Sequence, residues 1–201
     1  MNAARHALAL LVLLTYPPAV LLWFGIHPWA RYWRRIGTLA TYLILSLPML
    51  GLVGWLYKSR GVLLGRDLGT SWPLVAVAAV SLGVGGAIAR QRMKHLRFSI
   101  LSGEPELSRL AYPGRLLTEG IYARLRHPRY VEVTFWVLGY ALIANHSGVY
   151  LLWLISLPLL HLVVLLEERE LRQRFGAPYE EYARRVPRYL PRRAARVSKQ
   201  D

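Results

Sequence analysis

Apolar residues in this chain come in runs long enough to cross a lipid bilayer, and this restricts the fold more than any other feature. The runs cover about residues 7–26, 37–57, 71–89, 130–144 and 148–166. A hydrocarbon core about 30 Å thick needs roughly 20 mostly apolar residues per helix. Backbone polar groups in lipid must be satisfied within the segment, so the runs are expected to be helices. The expected fold is all-α: a multi-pass bundle of about five membrane helices with a C-terminal helical region on the cytoplasmic side. Pro17-Pro18 and Pro48 interrupt the first two runs and predict kinks there. The first run is long for a signal h-region, and no small-x-small site follows it, so it is read as a retained helix. Gly83, Gly85, Gly86 and Ala87 leave two readings open, close helix contact or a lipid-facing surface.

Charge supplies the orientation. The formal net charge of the 201 residues is +15. The basic residues lie between and after the apolar runs, which favours membrane lipid headgroups over nucleic acid as the partner. No nucleic acid is expected. Arg90, Arg92, Lys94, Arg97, Arg109, Arg115, Arg124, Arg126 and Arg129 precede the fourth run. A second basic group, including Arg169, Arg172, Arg174, Arg184, Arg185, Arg188, Arg192, Arg193 and Arg196, follows the fifth. The positive-inside rule puts both groups in the cytoplasm, with the N-terminus outside and Arg31, Arg34 and Arg35 inside. Lys58, Arg60 and Arg66 would then face outward against the rule. The absence of cysteine excludes disulfides, thiolate catalysis and iron–sulfur clusters, and no metal site is expected.

Only Asn145-His146-Ser147 separates the fourth and fifth runs. Such a short link makes an antiparallel hairpin, which brings Arg126-His127-Pro128 at its start beside Glu167-Glu168 at its end. Proline suits the first helical turn, and the free amides there are a potential anion site. A basic turn for phospholipid headgroups is the alternative, and for His127 alone so is a structural hydrogen bond. Glu167 and Glu168 end an apolar helix where the dipole disfavours negative charge, so they call for compensation from Arg126, Arg169, Arg172 or a cationic ligand. A plain salt-bridge cluster is the other reading. Glu170 and Arg174, four apart, read as a surface pair. Beyond Gly176, a short helix is expected to carry Tyr179 and Tyr182 on one face until Pro187 stops it. These rings would pack on the protein body or close one side of a cleft.

The ordered set resembles the isoprenylcysteine carboxyl methyltransferases and related phospholipid methyltransferases. The pieces are Gly120-x-Tyr122, Arg126-His127-Pro128-x-Tyr130, Asn145, Glu167-Glu168, Phe175-Gly176, Tyr179 with Tyr182, and Val186-Pro187. The likeness covers about Leu117 to Pro191. It implies an enzyme binding S-adenosylmethionine at the cytoplasmic mouth of the bundle, with a lipid-like acceptor such as the carboxylate of a prenylated cysteine. By the same likeness, Tyr122, Arg126, His127, Pro128, Tyr130, Glu167, Glu168, Tyr179 and Tyr182 would bind the cofactor, and Arg126 and Glu168 would act in catalysis. Asn145 and Glu132 are candidates for the substrate side. Asn145 lies at the opposite end of the hairpin, where packing is the alternative. Glu132 stands where the family has a small residue.

The chain therefore divides into residues 1–100 (membrane helices and connector), 101–193 (the catalytic and cofactor-binding region) and 194–201 (a basic tail). A phospholipid or amine N-methyltransferase, a non-catalytic scaffold or small transporter, and a membrane reductase are the alternatives to be separated.

Overall fold

The computed structural model describes residues 2–94 and 115–191. Arg97, Arg109, Arg192, Arg193, Arg196 and the tail 194–201 lie outside the described residues. Within them the chain is helical, without a strand. The helices are α1 (Asn2–Ile26), α2 (Ala30–Ile36), α3 (Thr38–Lys58), α4 (Arg60–Leu63), α5 (Trp72–Met93), α6 (Pro128–Ala144), α7 (Ser147–Phe175) and α8 (Ala177–Arg185). Short 3₁₀ turns occupy His27–Trp29 and Gly120–Ala123.

Four stretches are long and apolar enough to cross a membrane: Asn2–Ile36, Thr38–Lys58, Trp72–Met93 and Ser147–Phe175. The fifth expected span, α6, is a helix of 17 residues, about 26 Å at 1.5 Å per residue. It is shorter and carries the buried Glu132, so it is supported by protein on more sides than the others. Leu39, Leu43, Leu47 and Leu50 of α3 are all more than 60% exposed. A water-soluble protein would bury such a row, whereas hydrocarbon accepts it. Pro17, Pro18, Pro48 and Pro158 all sit inside continuous helices.

The core is built on α1, α6 and α7. Ala9, Val12, Leu13, Tyr16 and Val20 recur at helical spacing on the buried face of α1. The Tyr16 hydroxyl reaches Ser156 Oγ on α7 at 2.9 Å. Helices α5 and α6 run antiparallel in close contact: Ser81 Oγ donates to the Phe135 carbonyl at 2.7 Å. A methyl group added at Gly85 would collide with the Trp136 ring, and one at Gly139 with Leu82. Gly83 and Gly86 have open space where a side chain would go. The glycine cluster thus serves close contact at Gly85 only.

The bundle has two polar ends. At one, Arg5 pairs with Asp67 and donates to the Ala144 carbonyl at 3.2 Å. The backbone of Leu68 donates to Asn145 at 3.0 Å, and Ser147 donates to Arg66 at 3.0 Å. Asn145 adopts a positive φ of 49°, a conformation asparagine tolerates better than most residues. At the other end lie the start of α6, the end of α7, α2, the 120–123 turn and α8.

Candidate active site

Helix α6 starts where it was expected to, with His127 as the N-cap residue and Pro128 in the first turn. The chain before it is held by a segment about 60 residues further along the sequence. The Arg126 amide donates to the Pro187 carbonyl at 2.9 Å, and the His127 amide to the Arg188 carbonyl at 3.1 Å. The Val186-Pro187 stretch therefore docks on Arg126-His127, and those two amides are engaged by backbone.

Glu168 is the centre of the cluster and is fully buried. Its carboxylate meets Arg126 Nη1 at 2.9 Å, His127 Nε2 at 3.2 Å and Arg172 Nη2 at 3.2 Å. Arg188 binds both oxygens, through Nε and Nη2, at 2.9 Å each. The compensation called for by two acids at the end of an apolar helix is thus met by three guanidiniums and an imidazole. In the sequence Arg188 stands out only as one of the basic-face charges. Its position next to Val186-Pro187 was the available signal.

Glu167 faces the other side of His127, with Oε2 3.6 Å from Nδ1. That oxygen is buried and has no hydrogen-bond partner among the described residues, and the same holds for Nε of Arg126. The Tyr130 hydroxyl interacts with the Glu167 carboxylate, and the Tyr130 ring lies edge-on to His127 at 5.8 Å.

Tyr179 and Tyr182 are both buried on one face of α8, which follows Gly176 at φ +60°. Arg126 Nη1 lies 3.5 Å from the Tyr179 hydroxyl. Tyr182 donates to the Tyr122 carbonyl at 2.8 Å. Burial, reinforced by the charge of Glu168, pushes the Tyr179 phenol up to about 12. Burial likewise raises the Tyr122 and Tyr182 phenols, so all three stay protonated donors at neutral pH. For His127, burial acts to lower the pKa, but its hydrogen bonds and charge contacts with Glu167 and Glu168 outweigh that and raise it above the usual imidazole value.

The structure brings Tyr122, Arg126, His127, Pro128, Tyr130, Glu167, Glu168, Tyr179 and Tyr182 to one end of the bundle. Asn145 is not with them. It lies at the opposite end, donating to the Gly69 carbonyl and accepting from Tyr150, each at 2.8 Å. Glu132 is at the correct end but is gripped by Arg92 of α5, Nε to Oε2 at 2.7 Å and Nη2 to Oε1 at 3.1 Å. The expected surface pair of Glu170 and Arg174 is instead buried, with side-chain exposures of 7% and 5%. Glu170 also meets Arg34 at 3.3 Å, because α2 folds over this part of α7.

The family model described as "Phospholipid methyltransferase" matches residues 74–178, from within α5 to the start of α8. A protein-S-isoprenylcysteine O-methyltransferase of Schizosaccharomyces pombe is 38% identical over 77 residues, 38% of this chain and 33% of that protein. Protein-S-isoprenylcysteine O-methyltransferase B of Arabidopsis thaliana is 33% identical over 78 residues, 38% of this chain and 40% of that protein. The chain thus aligns with well under half the length of these relatives. Methanethiol S-methyltransferase 2 of Bradyrhizobium diazoefficiens is 28% identical over 184 residues, 83% of this chain and 66% of that protein. No solved structure matches the chain.

Proposed function

Because the chain belongs to the phospholipid methyltransferase family, we propose that it is an integral membrane methyltransferase using S-adenosylmethionine and acting on a lipid-like acceptor. One observation carries this reading: beside His127, Nε of Arg126 and Oε2 of Glu167 are buried and make no close hydrogen bond among the described residues, Oε2 standing 3.6 Å from His127 Nδ1. A donor and an acceptor with spare hydrogen-bonding capacity fit a ligand with charges of both signs, as the amino-acid end and sulfonium of this methyl donor have. When bound, the donor supplies an electrophilic methyl group. Glu167 and Arg126 would hold it, with the rings of Tyr130 and Tyr179 as walls. Pro128, Tyr122 and Tyr182 would fix the backbone and α8 around it. Glu168 would act by holding Arg126 in place.

A carboxylate acceptor, as on a prenylated cysteine, fits best. Methyl transfer to a carboxylate needs no base, and the contacts with Glu167 and Glu168 shift His127 toward its protonated form, which cannot accept a proton. Positioning then does most of the work. A thiol acceptor is the second reading, favoured by the relative aligned over 83% of the chain. A phospholipid amine comes after it. We propose that the cluster faces the cytoplasmic side of the membrane, on the strength of the flanking arginines.

The test is calorimetry with S-adenosylhomocysteine on detergent-purified protein, followed by labelled-methyl transfer to lipid extracts and prenylcysteine analogues. Binding that is lost in Glu167→Gln, with label in a carboxyl ester, is expected. No binding at millimolar ligand overturns the reading in favour of a scaffold or transporter. Label on nitrogen or sulfur overturns the carboxylate assignment alone.

A further inference from the structure

A cavity of about 390 Å³ opens between the His27–Trp29 turn, α2 and the end of α7. That volume is within the range of small-molecule pockets. None of the residues in the methyltransferase signature lines it. His27 does, and it is 94% buried at 6% relative exposure. Neither of its ring nitrogens has a hydrogen-bond partner among the described residues. A buried imidazole with both nitrogens unsatisfied loses its hydration without replacement, and the adjoining cavity is where a partner would sit.

The rest of the lining indicates its chemistry. Arg31, Arg34 and Arg35 contribute three guanidiniums, against the single carboxylate of Glu170. That carboxylate is already met by Arg34 and Arg174, so the cavity is net positive. Trp29 and Tyr32 line it too and are more than half exposed. Aromatic rings beside arginines just past an apolar helix mark the headgroup level of a bilayer.

We propose that this cavity is a binding site for the phosphate of an anionic membrane lipid, with His27 and Arg34 donating to the phosphate oxygens and Arg31 and Arg35 drawing the headgroup in. The Trp23 ring stacks on His27 at 5.3 Å and carries the Arg129 guanidinium over its face at 4.7 Å. Arg129 belongs to the first turn of α6, and His27 is near enough to feel the charge of Glu167, so the lipid site adjoins the methyl-donor cluster.

The test uses the full chain in neutral detergent, titrated by calorimetry with dioctanoyl phosphatidylglycerol, dioctanoyl phosphatidylcholine or sodium phosphate. One saturable site for phosphatidylglycerol is expected. His27→Ala should weaken it by about tenfold, the loss of one charge-assisted hydrogen bond, and His27→Gln, which keeps a donor, by less. Arg31 and Arg35 are exposed, so the double variant Arg31→Glu/Arg35→Glu tests the site even where His27→Ala fails to fold, and it should also weaken binding. Phosphatidylglycerol binding unchanged in both sets of variants overturns the site. Equal binding of phosphatidylcholine overturns the requirement for an anionic headgroup, and sodium phosphate binding as tightly as phosphatidylglycerol overturns the lipid as its source. Because the readout is lipid binding alone, the result does not depend on whether the chain binds S-adenosylhomocysteine.

Discussion

Arg188 grips both carboxylate oxygens of Glu168 at 2.9 Å, across 20 residues of sequence and the whole of α8. The segment after α8 is thereby fastened to the end of α7, and its carbonyls at 187 and 188 in turn hold the amides of Arg126 and His127. Two short motifs and a distant arginine form one cooperative unit.

Removing the carboxylate should therefore disturb more than ligand binding. Glu168→Ala leaves three arginines and a buried imidazole facing one another, and should destabilise the protein by about 3–5 kcal/mol. Arg188→Ala should cost less, roughly 1–3 kcal/mol, because that side chain is 37% exposed. Arg172→Ala, at 45% exposure, should stay within about 1 kcal/mol. Denaturant melts in a fixed detergent give the order.

The same unit should respond to pH through His127. Its folded pKa is raised, so its contribution is complete below the unfolded value of about 6.5 and is lost as pH rises through the folded value. Melting temperature should fall as pH rises above about 6.5, and His127→Gln should flatten that fall. A slope that is unchanged in the variant assigns the titration to another group.

Helix contact at Gly85 makes a sharper claim than the glycine cluster as a whole. Gly85→Ala forces a methyl group into the Trp136 ring and should cost about 1–3 kcal/mol. Gly83→Ala and Gly86→Ala meet nothing and should be neutral or stabilising by up to about 1 kcal/mol. Thermal melts of the three single variants decide it.

Asn145→Ala should separate packing from binding. It removes the bonds to Gly69 and Tyr150 and a residue suited to a positive φ, at a cost of about 1–3 kcal/mol. The affinity for S-adenosylhomocysteine should remain that of the parent, since the residue lies at the other end of the bundle. A fall in affinity that exceeds the fall in stability would return Asn145 to the substrate side.

The helices and the hairpin were legible because apolar run length and a three-residue link allow few alternatives. The meeting of Arg126-His127-Pro128 with Glu167-Glu168 followed from the hairpin alone. What stayed hidden were partners chosen by tertiary approach. Nothing local distinguishes Arg188 from its basic neighbours, or announces that Arg92 closes on Glu132 forty residues away. Glu170 and Arg174 have the spacing of a surface pair, and only the fold of α2 over α7 buries them. His27 carries no motif, and its significance is visible only in its burial beside the cavity.

The far end of the bundle sets an order of events in biosynthesis. Arg5 enters the membrane with the first helix, yet the carbonyl of Ala144 that it binds is made 139 residues later. Until the hairpin inserts, Asp67 is the acidic partner at hand for that arginine. The N-terminal helices therefore hold that cation through Asn2, Asp67 and Thr70, and insertion of α6 and α7 is the step that adds the carbonyl.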